Sequence, residues 1–359
     1  MAVDHGIEDW LRFTLVPGTG GATQRKLLTH FGSPGAALRA SPLAISAILT
    51  ANAAAAWRAG ANDDEIRRVL AWLDEPGNRL LTLADAEYPA TLLDTADPPT
   101  VLYLKGRAEC LSRPALAIVG SRNATPQGLS TAREFARALG SAGLAIVSGL
   151  ALGIDTAAHE GGLASPGGTI AVVGTGLDIV YPARNRDLAH RIAADGAIVS
   201  EFPLGTKAIP SNFPRRNRLI SGLSRGVLVV EAATRSGSLS TARYAGEQGR
   251  EVLAIPGSIH SPLSRGCHAL IKQGAKLVES AADVLEELRM TTTVTETASS
   301  RRDDDPLLAA LGHDPCDFDT LSQRTGLSVE SLQTRLSELE LDGEIACLPG
   351  GRFQRLPTN

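Results

Sequence analysis

Six short apolar runs constrain this chain more than any other feature: "ALAIVG" (115–120), "LAIVSG" (144–149), "TIAVVG" (169–174), "GAIVSE" (196–201), "GVLVVE" (226–231) and "EVLAIPG" (251–257). Each is rich in β-branched residues and closes on Gly or Glu. Between them lie helical patterns such as "GLSTAREFARALGSAG" and "SLSTARYAGEQG". A strand that is apolar on both faces must be covered on both, and a crossover helix is what returns the chain for a parallel neighbour. The alternation predicts an α/β fold with an extended Rossmann-like parallel sheet. Ligands of such sheets bind outside the carboxyl ends of the strands, so the residues just after each run are the ones to read for function.

The flanks have a different grammar. Residues 10–75 read as short Ala- and Leu-rich helices. Among them "LVPGTGGATQRKLLTHFGS" resembles a helix-hairpin-helix element, with a turn of Gly18, Gly20 and Gly21 ahead of Arg25 and Lys26. Such a turn is either an anion site or a packing turn. "RMTTTVTETASSRRDDDP" has the composition of a linker. Beyond it, three helical patterns and a hairpin-like "GEIACLPGGRFQRL" resemble a winged helix. The expected division is a helical SAM/helix-hairpin-helix-like domain over 1–78, the Rossmann-like core over 79–289, a linker over 290–305 and a winged-helix-like domain over 306–359.

Charge is distributed unevenly. Residues 1–99 hold 8 Lys+Arg against 12 Asp+Glu, residues 100–289 hold 21 against 15, and residues 290–359 hold 6 against 12. A basic middle between acidic flanks points to an anionic ligand for the middle. The chain is 43% hydrophobic and 21% charged, with no apolar run of membrane-spanning length and no signal-like start, so a cytoplasmic protein without membrane insertion is expected. Cys110, Cys267, Cys316 and Cys347 stand far apart, which indicates neither a disulfide framework nor a zinc site.

The strand-end loops carry the chemistry. "VGSRNATPQG" offers Gly120, Ser121 and Arg122 in a phosphate-type loop that is not a dinucleotide fingerprint. In "VSGLALGIDTAAHEGGL", Asp155 and His159 stand one turn apart; a helix-capping Asp beside a structural His is the expected reading, ahead of an acid–base dyad. "VGTGLDIVYPARNRDL" supplies Tyr181, Arg184 and Asn185, with Ile179 where a dinucleotide site has its third glycine. "SEFPLGTKAIPSNFPRRNR" supplies Lys207, Phe213, Arg215, Arg216, Asn217 and Arg218. "VEAATRSGSLSTA" sets Arg235 and Ser238 at a helix start. One crevice gathering Ser121, Arg122, Phe213, Arg216, Asn217, Arg218 and Ser238 would present several phosphate ligands and a stacking ring. It would lack a carboxylate pair or metal set for hydrolysis, so no catalytic residue, metal or cofactor is expected. That combination suits single-stranded nucleic acid.

The motifs "AIVGSRNAT", "VSGLALGIDTAAH", "AVVGTGLDIVYPARN", "NFPRRNRLISGLSRGVLVVEA", "RSGSLSTARYA" and "GCHALIKQGAKLV", in this order, are similar to those of the DNA-processing protein DprA (Smf) family over roughly residues 80–288. The resemblance implies a single-stranded DNA-binding protein of natural transformation that protects incoming DNA, helps to load a RecA-type recombinase and forms a homodimer. It marks the Gly120-Ser121-Arg122 loop and residues 213–218 as DNA contacts, and His268, Ile271 and Leu277 as dimer surface. Two lysines of the family pattern are missing, at Ala183 and Pro210; Arg184 and Lys207 stand near enough to substitute. The alternative is a nucleotide-processing enzyme of the lysine-decarboxylase-like phosphoribohydrolase type. Aligning that family's P-G-G-x-G-T-x-x-E signature on Gly237 and Thr241 puts Tyr244 in the place of its glutamate. Glu201 and Glu231 remain as strand-end carboxylates, a position where structural pairing with arginine is commoner than catalysis. In the winged helix, "SVESLQTRLSELELDG" sets Arg335 against Glu330, Glu338, Glu340 and Asp342. That balance repels duplex DNA and points to protein contact or domain packing.

Overall fold

The computed structural model of the chain describes residues 5–290, 305–312 and 314–356; the linker expectation falls almost wholly outside them. Nine strands among these residues form one sheet: β1 (Asn78–Thr82), β2 (Val101–Gly106), β3 (Ala115–Val119), β4 (Ala145–Ser148), β5 (Thr169–Val172), β6 (Ala197–Ser200), β7 (Gly226–Val229), β8 (Glu251–Ala254) and β9 (Lys276–Leu277). The six apolar runs are β3 to β8. Their order in the sheet is β1-β2-β6-β5-β4-β3-β7-β8-β9, parallel from β6 to β9. In register, Ala117 of β3 stands opposite Val147 on one side and Val227 on the other. β1 and β2 extend the sheet as an antiparallel pair, β2 lying antiparallel to β6. No crossover helix joins those two strands, so the alternation rule did not reach them.

Alternate side chains of each central strand enter opposite layers. Ala117, Val147, Val172 and Val229 pack with Leu219, Ile220, Ala242, Ala245 and Cys267 from helices Asn212–Gly222, Ser238–Glu247 and Arg265–Lys272. Leu116, Ile118, Ile146 and Leu228 pack on the other face, against helices Pro126–Ser141, Ile154–Leu163 and Ala281–Glu287. Burying each large aliphatic chain of these layers is worth about 1.5–3 kcal/mol.

The chain lays down β3, β4, β5 and β6 in one direction, then returns to set β7 on the far side of β3. The connections after β3 and β7 therefore leave toward opposite layers. A crevice opens between them at the carboxyl ends of the strands.

The front helices carry their own start signals. Ser33, Ser41, Thr50 and Asn62 each accept a backbone N–H at the first turn of the helix that follows. Trp10, Leu11, Ile66 and Trp72 from this unit pack on Leu80, Val101 and Tyr103, covering the β1–β2 end of the sheet. At the other end of the chain, helices Pro306–Leu311, Phe318–Thr325 and Val329–Leu341 enclose a separate core with a three-stranded sheet whose hairpin is Ile345–Leu348 and Arg352–Arg355. Arg335 pairs with Asp305 and Glu338 inside this unit, so the acidic helix keeps no free cation. Among the described residues no helix is long and apolar enough to cross a membrane.

Candidate nucleic-acid interface

The crevice between β3 and β7 is an open cleft of about 680 Å³. Two glycines bring its back wall together. A Cβ on Gly120 would lie 2.6 Å from Ile154 Cγ1 and 2.8 Å from the Glu231 carbonyl oxygen. Gly153 has a φ of +79°, and a Cβ there would lie 2.3 Å from the Ser121 carbonyl oxygen. The loop after β3 thus folds tightly on helix Ile154–Leu163. Ser121 is buried, its Oγ accepting the Asn123 N–H at 3.1 Å, and Arg122 stands out into solvent.

Arg122 forms no ion pair among the described residues. Its guanidinium carbon lies 5.8 Å from the centroid of the Phe213 ring. Phe213 is half-buried, backed by Gly174, and Tyr181 stands beside it with ring centroids 5.7 Å apart at 42°. Tyr181 is 47% exposed. A guanidinium without an ion pair thus lies over one of two adjacent rings, a set of groups whose chemistry suits stacking and anion contact. The opposite wall is the turn before helix Ser238–Glu247. Asn217 Nδ2 donates to Ser240 Oγ at 2.8 Å and to the Gly237 carbonyl at 3.4 Å. Ser236 and Ser238 hydroxyls share a hydrogen bond at 2.7 Å, and Arg235 is exposed above them.

Arg216 forms the floor. It is 4% exposed, donates from Nη1 to the Val172 carbonyl at 2.6 Å, and occupies the space that a side chain on Gly149 would need. Burial draws its guanidinium down to about 10, against the attraction of Asp155. Asp155 accepts the N–H groups of Gly149 at 3.1 Å and Ala151 at 3.3 Å. Burial pushes its carboxyl upward, opposed by Arg216 and by those N–H groups. The expectation that Asp155 caps the following helix is corrected: Gly153 holds the N-cap position, and Asp155 ties down the preceding loop instead. His159 is fully buried. Thr169 donates its one hydroxyl proton to the Ile146 carbonyl at 2.7 Å, so it accepts from His159 Nδ1, and Nε2 accepts the Leu150 N–H at 3.2 Å. Burial, with Arg216 nearby, lowers this imidazole to about 3, so it stays neutral as a structural group.

The basic run divides along its helix. Phe213, Arg216 and Asn217 face the cleft, whereas Arg215 and Arg218 face away from it. Arg218 forms a buried ion pair with Glu201, and its Nε lies 3.4 Å from the Asp97 carboxylate. Arg215 lies over Phe202, 5.2 Å from the ring centroid. The structure therefore does not bring Arg218 into one crevice with Arg122. Arg184 and Lys207 are exposed on the neighbouring loops, outside the cleft walls. Tyr181 and Arg235, not chosen from the sequence as site residues, do line the cleft; both stood in strand-end loops, but nothing in those loops told which way their side chains point.

The two strand-end carboxylates are engaged. Glu231 accepts the Thr125 N–H at 3.0 Å and hydroxyl at 2.6 Å, while Thr125 Oγ1 caps helix Pro126–Ser141 through the Gly128 N–H at 3.0 Å. Glu201 is held by Arg218. At the far sheet edge, Leu277 on β9 is 49% exposed, Ile271 packs partly on the core, and His268 Nε2 lies 3.0 Å from the Gly257 carbonyl.

Two family models match the chain: DNA recombination-mediator protein A over residues 79–289 and the DprA winged helix domain over 292–351. Protein Smf of Escherichia coli K12 is 45% identical over 298 residues, covering 80% of each chain. DNA processing protein DprA of Streptococcus pneumoniae R6 is 49% identical over 206 residues, 57% of this chain and 73% of the relative. Among solved structures, DNA processing protein A from Streptococcus pneumoniae aligns with a TM-score of 0.69 at 38% identity, over 80% of this chain and 99% of the other. That from Helicobacter pylori, described for its single-stranded DNA binding mode, aligns with a TM-score of 0.54 at 33% identity, over 59% and 96%.

Proposed function

The chain belongs to the DNA-processing protein DprA (Smf) family, and from that premise we propose that it binds single-stranded DNA in the cleft between β3 and β7. The observation that carries this reading is the unpaired Arg122 set beside the Phe213–Tyr181 ring pair. Unpaired bases leave their faces free for such rings, while Arg122, Arg235 and the small-residue turn take phosphates. Arg216 acts from beneath: with its charge opposed by Asp155, it fixes the floor of the cleft through the Val172 carbonyl without touching the strand. In this role the protein serves natural transformation in the cytoplasm, shielding incoming single strands and handing them to a RecA-type recombinase. It does so as a homodimer built on the sheet edge that carries Leu277.

A nucleotide-processing enzyme is the poorer reading. A hydrolase of that class needs a free carboxylate at the reacting sugar. Neither strand-end candidate lines the cleft: Glu231 is committed to Thr125, and one oxygen of Glu201 is held by Arg218 on the far side of the helix. Titration of the purified protein with labelled single-stranded and blunt duplex oligonucleotides of equal length, across a salt series, tests the proposal. Single strands are expected to bind more tightly, with little sequence dependence, and affinity is expected to fall steeply with salt. Equal affinity for the duplex would refute the cleft assignment.

A further inference from the structure

A second cavity, of about 540 Å³, lies where the front helices meet the core. Helix Gly21–Phe31 opens into it from Gly20, with no side chain capping its first turn. Free N–H groups at a helix start favour an anion. The charges around the cavity are not balanced. Arg25 pairs with Asp97, and Arg218 with Glu201. Arg215, its side chain 59% exposed, is left over: its nearest carboxylate oxygen, at 3.9 Å, is the Glu201 oxygen that Arg218 already holds. Glu201 adds an opposite demand. Its side chain is 7% exposed, and its other oxygen, Oε1, is buried without a hydrogen-bond partner. A carboxylate oxygen so placed calls for a donor.

We infer that this cavity holds one nucleotide of the bound single strand, its phosphate between Arg215 and the start of helix Gly21–Phe31 and its base turned toward Glu201. A bare phosphate meets only the first demand. A nucleotide meets both, because every base carries an N–H donor: the exocyclic amines of adenine, cytosine and guanine, and the ring N–H of thymine. The inference rests on the single-stranded DNA reading and extends its path. One helix turns Phe213 and Asn217 to the first cleft and Arg215 to the second cavity, with exposed Pro214 between. A strand that crosses Pro214 passes from one to the other. The front glycine turn then acquires a role that the cleft alone does not give it.

The test uses Gly20→Asp. Gly20 has extended backbone, and a Cβ there meets open space. Asp is a favoured cap, so the helix keeps or gains stability while a carboxylate takes the anion's place. Full-length wild type, Gly20→Asp, Arg215→Ala and Arg122→Ala are titrated with oligo(dC) and oligo(dT) of about 6 and about 20 nucleotides. Gly20→Asp is expected to bind the short strands as wild type does. Both Gly20→Asp and Arg215→Ala are expected to bind the long oligo(dC) about five- to tenfold more weakly, with a salt slope lower by about 0.7. Wild type is expected to bind long oligo(dC) and long oligo(dT) alike, and both variants to weaken toward both. Normal long-strand binding by Gly20→Asp and Arg215→Ala, with Arg122→Ala impaired, would overturn the second subsite and leave the first standing. A strong preference of wild type for one of the two would overturn the contact to Glu201, which any base can make. Normal binding by Arg122→Ala, or no binding by wild type, would bring down the underlying reading and this inference with it.

Discussion

Arg216 Nη1 donates to the carbonyl oxygen of Val172 at 2.6 Å, which fastens the middle of the basic run to the carboxyl end of β5. Its neighbours in sequence serve other ends. Arg218 neutralises Glu201 within the fold, and Arg215 lies over Phe202 at the second cavity. Phe213, three residues before Arg216, reaches the cleft, where it meets an arginine from a loop some ninety residues earlier in the chain. A cluster that looks like a single patch in sequence is thus a set of separate tasks around one helix.

Arg122→Ala is expected to weaken single-strand binding and to lower the slope of log K against log salt by about 0.7, one phosphate's share. The residue is exposed and unpaired with any described carboxylate, so the melting temperature should stay within a degree or so of wild type. A fluorescence titration at three salt concentrations, beside a thermal melt, checks both.

Arg218→Ala carries the opposite signature. It strands the Glu201 carboxylate, which burial already pushes upward, and is expected to destabilise the fold by about 3–5 kcal/mol. Adding Glu201→Gln should recover much of that loss. Urea midpoints of the two single variants and the double variant measure the coupling; additivity would mean that the pair is not a unit.

Phe213→Ala is expected to reduce binding by about 1–3 kcal/mol, the worth of one stacked base. Tyr181→Ala should act in the same direction and be less than additive with it, because the rings touch. If Phe213→Ala instead lowered the melting temperature and spared the affinity of the folded fraction, the ring would belong to the core rather than to the ligand.

Leu277→Glu places a charge on the exposed short strand at the sheet edge. If that edge is the isologous contact, the carboxylate is buried against its own copy and the variant sediments as a monomer while melting normally. A variant that still sediments as a dimer would move the contact elsewhere.

His159 sets an acid limit. Its imidazole falls from 6.5 in the unfolded chain to about 3 in the fold, so between those values the unfolded chain binds the extra proton. The stability it contributes is complete above pH 6.5 and declines as the pH falls toward 3, by up to about 1.4 kcal/mol per pH unit. His159→Gln keeps an acceptor for Leu150 and a donor for Thr169 without the titration. Comparing urea midpoints at pH 7 and pH 5 should show a smaller loss in the variant than in wild type.

Strands β3 to β8 were legible because runs such as "ALAIVG" and "GVLVVE" are apolar on both faces and are spaced by helical patterns. β1 and β2 were not, since Leu80 and Tyr103 pair without a crossover helix to announce them. The cleft loops around Arg122 and Phe213 could be named because the ligand crevice of such sheets follows from strand order. Which way each arginine turns could not. The 3.6-residue period separates Arg216 from Arg215 and Arg218, but only the packing of Leu219 and Ile220 on the sheet decides which side looks into the cleft. Arg218 was placed with Arg122 because its partner, Glu201, is 17 residues away across a loop. The bond between Glu231 and Thr125, 106 residues apart, has no trace in either local sequence.

That last bond governs what kind of opening the cleft is. With Glu231 accepting from both donors of Thr125, the end of one strand is tied to the first turn that follows its neighbour, so parting the two lips requires breaking both bonds. The opening then behaves as a slot of fixed gauge. What enters must supply the compliance itself: a lone strand can turn its own torsions to fit, whereas base pairing holds the two strands of a duplex at a set separation.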